Sequence, residues 1–180
     1  MSSGLPCGPP VMAADTPSVV QPSVVELPEQ PYVAVSGLVT MQTFGKIADR
    51  FGEVFGFLAA RGVAPSGPPF FRYRVIDMEH ELEVEAGVPV AVPVPGDGDV
   101  VGDVLPPGRY VTVTHTGHPD ELVERTGQLL AWAARRGLEF DVHPDDRGDR
   151  WGSRLEVLLT DPAEEPDMNK RQTELAFKLA

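Results

Sequence analysis

The sequence predicts an α+β fold built from two copies of one unit, in which an amphipathic helix crosses one face of a small antiparallel sheet. Three observations lead to this prediction. Residues 24–37 and 102–115 match at a fixed offset, an amphipathic pattern follows each of them, and two more strand patterns follow each helix. A duplicated unit of this kind packs as a pseudo-twofold pair, with two antiparallel sheets, each covered by its helix, and a cleft between them.

The matched segments read VVELPEQPYVAVSG and GDVLPPGRYVTVTH. Leu27-Pro28 aligns with Leu105-Pro106, and Tyr32-Val33 aligns with Tyr110-Val111. Each segment is a short strand, a turn at prolines, and a returning strand with alternating apolar residues. We therefore expect each half to open with a strand that turns back on itself.

Residues 43–62 and 118–137 each predict one helix. In both, apolar residues recur at intervals of three and four, which is an amphipathic stripe. Both end in a basic last turn followed by a glycine, Gly62 or Gly137, and glycine favours helix termination. The strands that complete the two halves are predicted at residues 70–77, 82–92, 152–159 and 173–179.

The composition indicates one domain after an N-terminal tail. Residues 1–21 are rich in proline, serine and alanine, lack the pattern of a signal peptide, and predict a disordered tail. The domain then covers residues 22–180, with repeat one at about 22–95 and repeat two at about 100–180. The single cysteine, Cys7, excludes an internal disulfide, and we expect a cytoplasmic location.

The charge argues against two classes of partner. The net charge is −12 with only three lysines, whereas nucleic-acid binding needs clustered lysine and arginine. The apolar runs are too short to span a bilayer, so no membrane partner is expected. No glycine-rich phosphate loop, Ser-His-Asp set or metal-ligand spacing occurs, so the sequence predicts no cofactor and no metal. A role in solubility alone also explains the charge.

The stretch WGSRLEVLLT, residues 151–160, reads as a strand with one residue out of pattern. Leu155, Val157 and Leu159 alternate as the buried face of a strand does. A helix can cover only one face of its sheet, so we expect these three residues under the second helix. Glu156 would then lie at the centre of the helix-free face.

Two explanations for Glu156 are open. Alternation places Tyr32 and Tyr110 on the same helix-free face, so Glu156 would be a lone carboxylate in an aromatic groove, which is the usual composition of a small-molecule site. Alternatively, Glu156 forms a cross-strand ion pair with Arg154 or Lys178, as exposed sheet faces commonly do.

Five stretches of the chain resemble the GyrI-like domain, the effector-binding module that is also fused to drug-responsive transcription regulators. They lie between residues 22 and 180 and read ARGVAPSGPPFFRYRVIDME, VEAGVPV, LPPGRYVTVTHTGHPDEL, LLAWAARRG and WGSRLEVLLTDPAEEPDMNKRQTELAFKL. The resemblance implies tandem βαββ repeats of the SHS2 type, with a central cleft for flat, aromatic and often cationic compounds. The binding carboxylate of the family lies on the strand whose pattern here is RLE, which implies Glu156.

One subfamily of GyrI-like domains resembles this chain in being unattached to DNA-binding helices. Its members, the cyclopropanoid cyclopropyl hydrolases, hydrolyse the strained cyclopropane of duocarmycin- and yatakemycin-like DNA alkylators in an aromatic cage. The resemblance therefore implies a hydrolase for xenobiotic detoxification and antibiotic resistance. A non-catalytic protein that binds, sequesters or senses drugs is the alternative, and the sensor half of a regulator with a separate partner protein is a third.

The chemistry of ring opening suggests roles for two residues. A carboxylate can orient or deprotonate the attacking water, and a hydroxyl can stabilise the oxygen anion that forms. We expect Glu156 and Tyr110 to take these catalytic roles. Core packing is the alternative for both tryptophans of the chain. The residues expected to bind the ligand are Tyr32, Phe71, Tyr73, Trp132, Trp151 and Arg154.

Overall fold

The computed structural model describes residues 21–180. The predicted tail, with Cys7, lies outside this part except for its last residue. No helix in residues 21–180 is long and apolar enough to cross a membrane. The elements follow in the order β1 (Ser23–Leu27), β2 (Gln30–Val39), α1 (Gly45–Ala48), α2 (Phe51–Ala60), β3 (Phe70–Ile76), β4 (Leu82–Pro89), β5 (Val101–Leu105), β6 (Gly108–Thr116), α3 (Leu122–Arg135), β7 (Val142–Asp145), β8 (Gly148–Trp151), β9 (Arg154–Leu158) and β10 (Gln172–Lys178).

The predicted α+β class is confirmed, but the strands form one antiparallel sheet and not two. The strand order is β1-β6-β10-β9-β3-β4-β2-β5, and the β7–β8 hairpin pairs with β3 beside this path. The halves join where β3 pairs with β9, with Phe71 directly opposite Glu156. The order is symmetric about this pair, because β1 and β5, and likewise β2 and β6, occupy equivalent places.

The strand that opens each half does not pair with the strand that follows it. β1 pairs with β6, and β5 pairs with β2, so each half supplies the edge strand of the other. Pro28 and Pro106 follow β1 and β5 directly and lack the N–H group that a hairpin ladder needs. Leu27 and Gln30 are three Cα steps apart, at most about 11 Å, yet their strands lie near opposite ends of the sheet. The sheet therefore curls on itself into a half-barrel.

The long helices lie where the sequence predicted them. The first predicted helix is interrupted at Asp49-Arg50 and forms α1 and α2. Gly62 and Gly137 have φ angles of 68° and 70°, in the left-handed region that glycine adopts without strain. The N–H of the residue after each glycine bonds back into the last turn at 3.0 Å. The predicted glycine stops are therefore confirmed.

Both long helices lie on the same face of the sheet. α2 packs over β2 and β4, and α3 packs over β6, which leaves β3 and β9 between the two helices. One row of side chains crosses this face from the core under α3 to the core under α2. Glu156 stands in the middle of the row, which consists of Val113, Leu175, Glu156, Phe71, Ala86 and Val35.

The helix-free face is the inside of the curl and is packed solid. Tyr32 and Tyr110 are each only 1% exposed there. A Cβ atom at Gly87 would come within 2.7 Å of the Phe70 ring, so this interior has no spare room. The predicted open cleft on this face is therefore wrong, because the curl brings the apolar side chains of both halves together. The interior also contains Ala34, Leu105, Leu155 and Ala176.

Candidate functional site

The residues of strand β9 that were predicted to face the helix face the other side of the sheet. Leu155 and Val157 point into the helix-free interior, and Glu156 lies on the helix-bearing face. Leu159 follows the end of β9 and is exposed. The prediction failed because both faces of this sheet are buried, so the polarity of alternate residues does not identify the side that a helix covers.

We call the strip of β3 and β9 between the helices the central seam, defined by Phe71, Tyr73, Arg154 and Glu156. Glu156 is half-buried, and Tyr73 on the neighbouring strand β3 is close enough to influence its carboxylate. Burial raises the pKa of the Glu156 carboxyl, although Tyr73 and the charge of Arg154 act in the opposite direction. Burial and the neighbouring carboxylate hold the pKa of Tyr73 well above its usual range, so Tyr73 keeps its proton.

Aromatic rings line the central seam on both sides. On the α2 side, Phe44 packs edge-on against Phe71 with 4.8 Å between the ring centroids, and it stacks with Tyr73 at 5.9 Å. On the α3 side, the rings of Trp151 and Phe177 pack edge-on at 5.6 Å. Phe71, Trp151 and Phe177 are buried, whereas Phe44 and Tyr73 are partly exposed, so the ring surface that is accessible at the seam belongs to Phe44 and Tyr73.

The side chain of Arg154 bridges the two groups of rings. Its guanidinium carbon lies 4.5 Å from the ring centroid of Phe177, 4.7 Å from that of Trp151 and 5.7 Å from that of Tyr73. Its Nε atom is buried and has no hydrogen-bond partner among the described residues. Arg154 is therefore held mainly by ring faces, and burial lowers the pKa of its guanidinium.

The ion-pair explanation for Glu156 does not hold. Among residues 21–180, no salt bridge within 4.0 Å joins Glu156 to Arg154. Lys178, the other expected partner, bonds to Asp141 at 3.2 Å instead. Glu156 is thus a carboxylate without a direct cationic partner in the part of the chain that the structure describes.

The structure does not bring Tyr32 and Tyr110 to Glu156. Both belong to the helix-free interior, where their hydroxyls have other partners. Arg72 donates to the Tyr32 hydroxyl at 2.7 Å, and that hydroxyl donates to Glu85 at 2.5 Å. The Tyr110 hydroxyl donates to the Pro106 carbonyl at 2.7 Å. Both tyrosines lie on the helix-free face, as predicted, but Glu156 lies on the other face, so neither tyrosine is available to a ligand at the seam.

Trp132 also lies away from the seam residues. It packs against the core under α3, and Arg136 lies over its ring at 4.0 Å. Conversely, Phe44 and Phe177 were not predicted at the site. Phe177 was expected in the core, and it is buried there while one face of its ring contacts Arg154. Phe44 appeared only as part of a helix stripe, and nothing in the pattern indicated that it faces β3.

Two surface depressions lie outside the central seam, and neither is lined by phenylalanine, tyrosine or tryptophan. The larger, of about 310 Å³, lies at the ends of β3 and β4, and the smaller, of about 220 Å³, lies at the start of α3. Their polar linings do not suit a planar aromatic compound, so the seam is the better candidate. No cluster of three potential metal ligands occurs within residues 21–180. The smaller depression is lined by His115, Glu121, Glu124, Arg125 and Gln128.

Solved structures with this fold come from several proteins. The EcmrR chain of an EcmrR–DNA complex is 20% identical, with a TM-score of 0.71 over 89% of this chain, and this chain spans 57% of it. A hydrolase from Listeria innocua is 14% identical, with a TM-score of 0.62 over 95% of this chain and 97% of its own. SAV2435 bound to tetraphenylphosphonium is 9% identical, with a TM-score of 0.56 over 89% and 94% of the two chains.

At these identities the structural likeness establishes the fold and nothing further. Comparison with curated protein sequences gives no significant match. The family comparison covers nearly all of the described chain, since the model of the GyrI-like small molecule binding domain matches residues 20–177. The chain therefore belongs to the family of GyrI-like small-molecule-binding domains.

Proposed function

We propose that this chain captures planar aromatic small molecules in the central seam. The observation that supports this most is Glu156, a desolvated carboxylate beside Tyr73 between two groups of aromatic rings. Small-molecule sites combine apolar walls with a few placed polar groups, and the family binds small molecules. A structural neighbour, SAV2435, is bound to tetraphenylphosphonium, an aromatic cation, which supports the binding of aromatic compounds by this fold. Each well-formed aromatic contact adds about 0.5–1.5 kcal/mol beyond simple burial.

We further propose that the captured compound is a DNA alkylator of the duocarmycin or yatakemycin type and that the site opens its cyclopropane. The observation that favours chemistry over binding alone is the raised pKa of Glu156, because a carboxylate with a raised pKa accepts a proton more readily. The resemblance to stand-alone hydrolases of this family also supports it. One structural neighbour is described as a hydrolase.

The proposed reaction adds one water to the compound. Glu156 takes a proton from a water whose oxygen attacks the unhindered methylene carbon of the cyclopropane. A carbon–carbon bond of the ring breaks, and its electron pair moves through the conjugated system to the carbonyl oxygen, which becomes a phenolate. The phenolate then takes up the proton. Tyr73 lies beside the carboxylate, and the rings hold the compound in a reactive pose.

Incubation of the purified chain with a cyclopropane-bearing alkylator tests both parts of the proposal. Mass spectrometry should detect a product one water heavier. The E156Q variant should form it about 100-fold or more slowly, the usual effect of losing a general base. The matched control is E174Q, because Glu174 lies on the neighbouring strand β10 and faces the other side of the sheet.

The outcomes separate the two functions. If the compound binds while its mass never changes, the chain is a non-catalytic binding protein and the hydrolysis proposal fails. If nothing planar and aromatic binds, the capture proposal fails as well. If E156Q and E174Q reduce turnover equally, Glu156 is not the base. Sensing for a separate regulator is the alternative use of the same seam, since EcmrR, which shares the fold, forms a complex with DNA.

A further inference from the structure

We infer that His115 and Glu121 form a binding site for a divalent transition metal ion of the zinc type. The two residues lie where β6 ends and the 3₁₀ turn Pro119–Glu121 leads into α3. This site is separate from the central seam and does not depend on the proposed function. It also departs from the expectation, drawn from the sequence, that the chain holds no metal.

His115 is a buried imidazole without a hydrogen-bond partner. It lies two residues after Val113, which belongs to the core under α3, and it is only 6% exposed. Neither of its ring nitrogens has a hydrogen-bond partner among residues 21–180. A buried polar group without a partner is unfavourable, and a bound ion can supply the missing partner. His115 also lines the smaller of the two depressions, so an ion can reach it from solvent.

The spacing of the two side chains suits zinc. Nε2 of His115 lies 3.3 Å from Oε1 of Glu121. Zinc binds an imidazole nitrogen at about 2.0–2.1 Å and a carboxylate oxygen at about 2.0–2.2 Å, so two ligands of a tetrahedral ion lie about 3.3–3.5 Å apart. A direct hydrogen bond is the alternative, but the pair does not form one at this distance, so the oxygen lies off the direction in which the nitrogen would donate. Two ligands that point at one ion are offset from each other in this way.

Gly117 leaves space beside the pair. Its φ angle of 151° lies in the region that glycine favours. A Cβ atom at this residue would clash with Oε1 of Glu121 and come within 3.0 Å of Nε2 of His115. Because glycine has no such atom, the missing side chain leaves room for an ion in contact with both ligand atoms.

The smaller depression supplies the rest of the coordination. Its volume of about 220 Å³ holds several water molecules, at about 30 Å³ each. Because the pair supplies two ligands, water completes the coordination, and Glu124 in the same lining can accept hydrogen bonds from that water. Arg125 also lines the depression, but its guanidinium donates to Gln128 at 3.1 Å. The combination of nitrogen and oxygen ligands favours zinc over calcium or magnesium, which prefer oxygen alone.

Calorimetric titration of the unmodified chain with Zn²⁺, after a chelator has removed other metals, tests the inference. H115Q and E121Q should each weaken Zn²⁺ binding about tenfold or more, since the loss of even an outer-shell partner costs about 10–100-fold. The matched control is H143Q, which should leave Zn²⁺ binding unchanged. Nε2 of His143 also lies 3.3 Å from a carboxylate oxygen, that of Asp141, but its side chain is 78% exposed and Asp141 is already paired with Lys178.

Two further measurements identify the geometry and its effect on folding. Co²⁺ can replace zinc, and tetrahedral Co²⁺ absorbs visible light much more strongly than Co²⁺ in water. This absorption should appear with the unmodified chain and H143Q and be lost in H115Q. Zn²⁺ should also raise the urea midpoint of the unmodified chain and not that of H115Q, because the ion binds the folded chain.

Weakened Zn²⁺ binding in H115Q and E121Q, with unchanged binding in H143Q, supports the inference. No binding of Zn²⁺ by the unmodified chain overturns it, and so does an equal loss in H143Q. Unchanged binding in a folded H115Q variant overturns it as well. Should H115Q fail to fold, E121Q decides alone, because the Glu121 side chain is 57% exposed and its replacement leaves the core intact. None of these results bears on the capture of aromatic compounds at the seam.

Discussion

Replacement of Glu156 by glutamine should stabilise the domain at neutral and alkaline pH and change little at acidic pH. Burial raises the pKa of Glu156 in the folded chain above its value of about 4.5 in the unfolded chain. Between these two values the folded chain binds more protons, so stability falls as pH rises through this window. The loss is about 1.4 kcal/mol for each pH unit that separates the two pKa values. Glutamine has nearly the same shape and carries no charge, so it avoids this loss.

Urea-induced unfolding of both chains across a series of pH values measures this effect. The free energy of unfolding of E156Q minus that of the unmodified chain should grow with pH and then level off above the folded-state pKa of Glu156. The control is E164Q, since Glu164 is exposed in a loop and should give a difference near zero at every pH. A difference for E156Q that does not depend on pH, or that favours the unmodified chain at alkaline pH, would refute the assignment of Glu156 as a desolvated carboxylate.

Two other predictions address the seam and the interior. Y73F removes the hydroxyl that lowers the pKa of the Glu156 carboxyl, so this carboxyl should titrate at higher pH by carbon NMR; an unchanged midpoint would contradict an interaction between the two side chains. G87A should lower the free energy of unfolding by about 1–3 kcal/mol, since its Cβ would lie 2.7 Å from the Phe70 ring. Its control, G56A, lies in α2 with open space around it and should raise stability by up to about 1 kcal/mol in the same denaturation assay.

The local patterns of the chain predicted most of the elements. The matched segments contain β1-β2 and β5-β6, and the arginine–glycine pairs mark the ends of α2 and α3. Pairing between strands was less predictable. Only two residues separate Leu27 from Gln30, a spacing that is typical of a hairpin. Pro28 follows β1 directly, however, and β1 pairs with β6 instead of β2. That choice depends on contacts with residues far along the chain, which local periodicity does not encode.

The sequence predicted several residues of the site but not the face of the sheet on which they lie. Phe71, Tyr73, Trp151 and Arg154 were expected near Glu156, and the structure brings them to the same strip of the sheet. That these residues contact a ligand stays a prediction. Alternation identified which residues of β9 share a face, but it could not show which face carries helices, because the curl buries the other face as well.

The exchange of edge strands between the halves has a consequence for how such a domain can be divided. A cut in the connection between β4 and β5 would give two polypeptides, each holding a strand that only the other can use. Neither fragment could complete its own sheet, but together they should reassemble without a covalent link. A protein with a single copy of this unit would likewise lack an edge strand for its own sheet. It could complete the sheet only as an intertwined dimer that exchanges these strands.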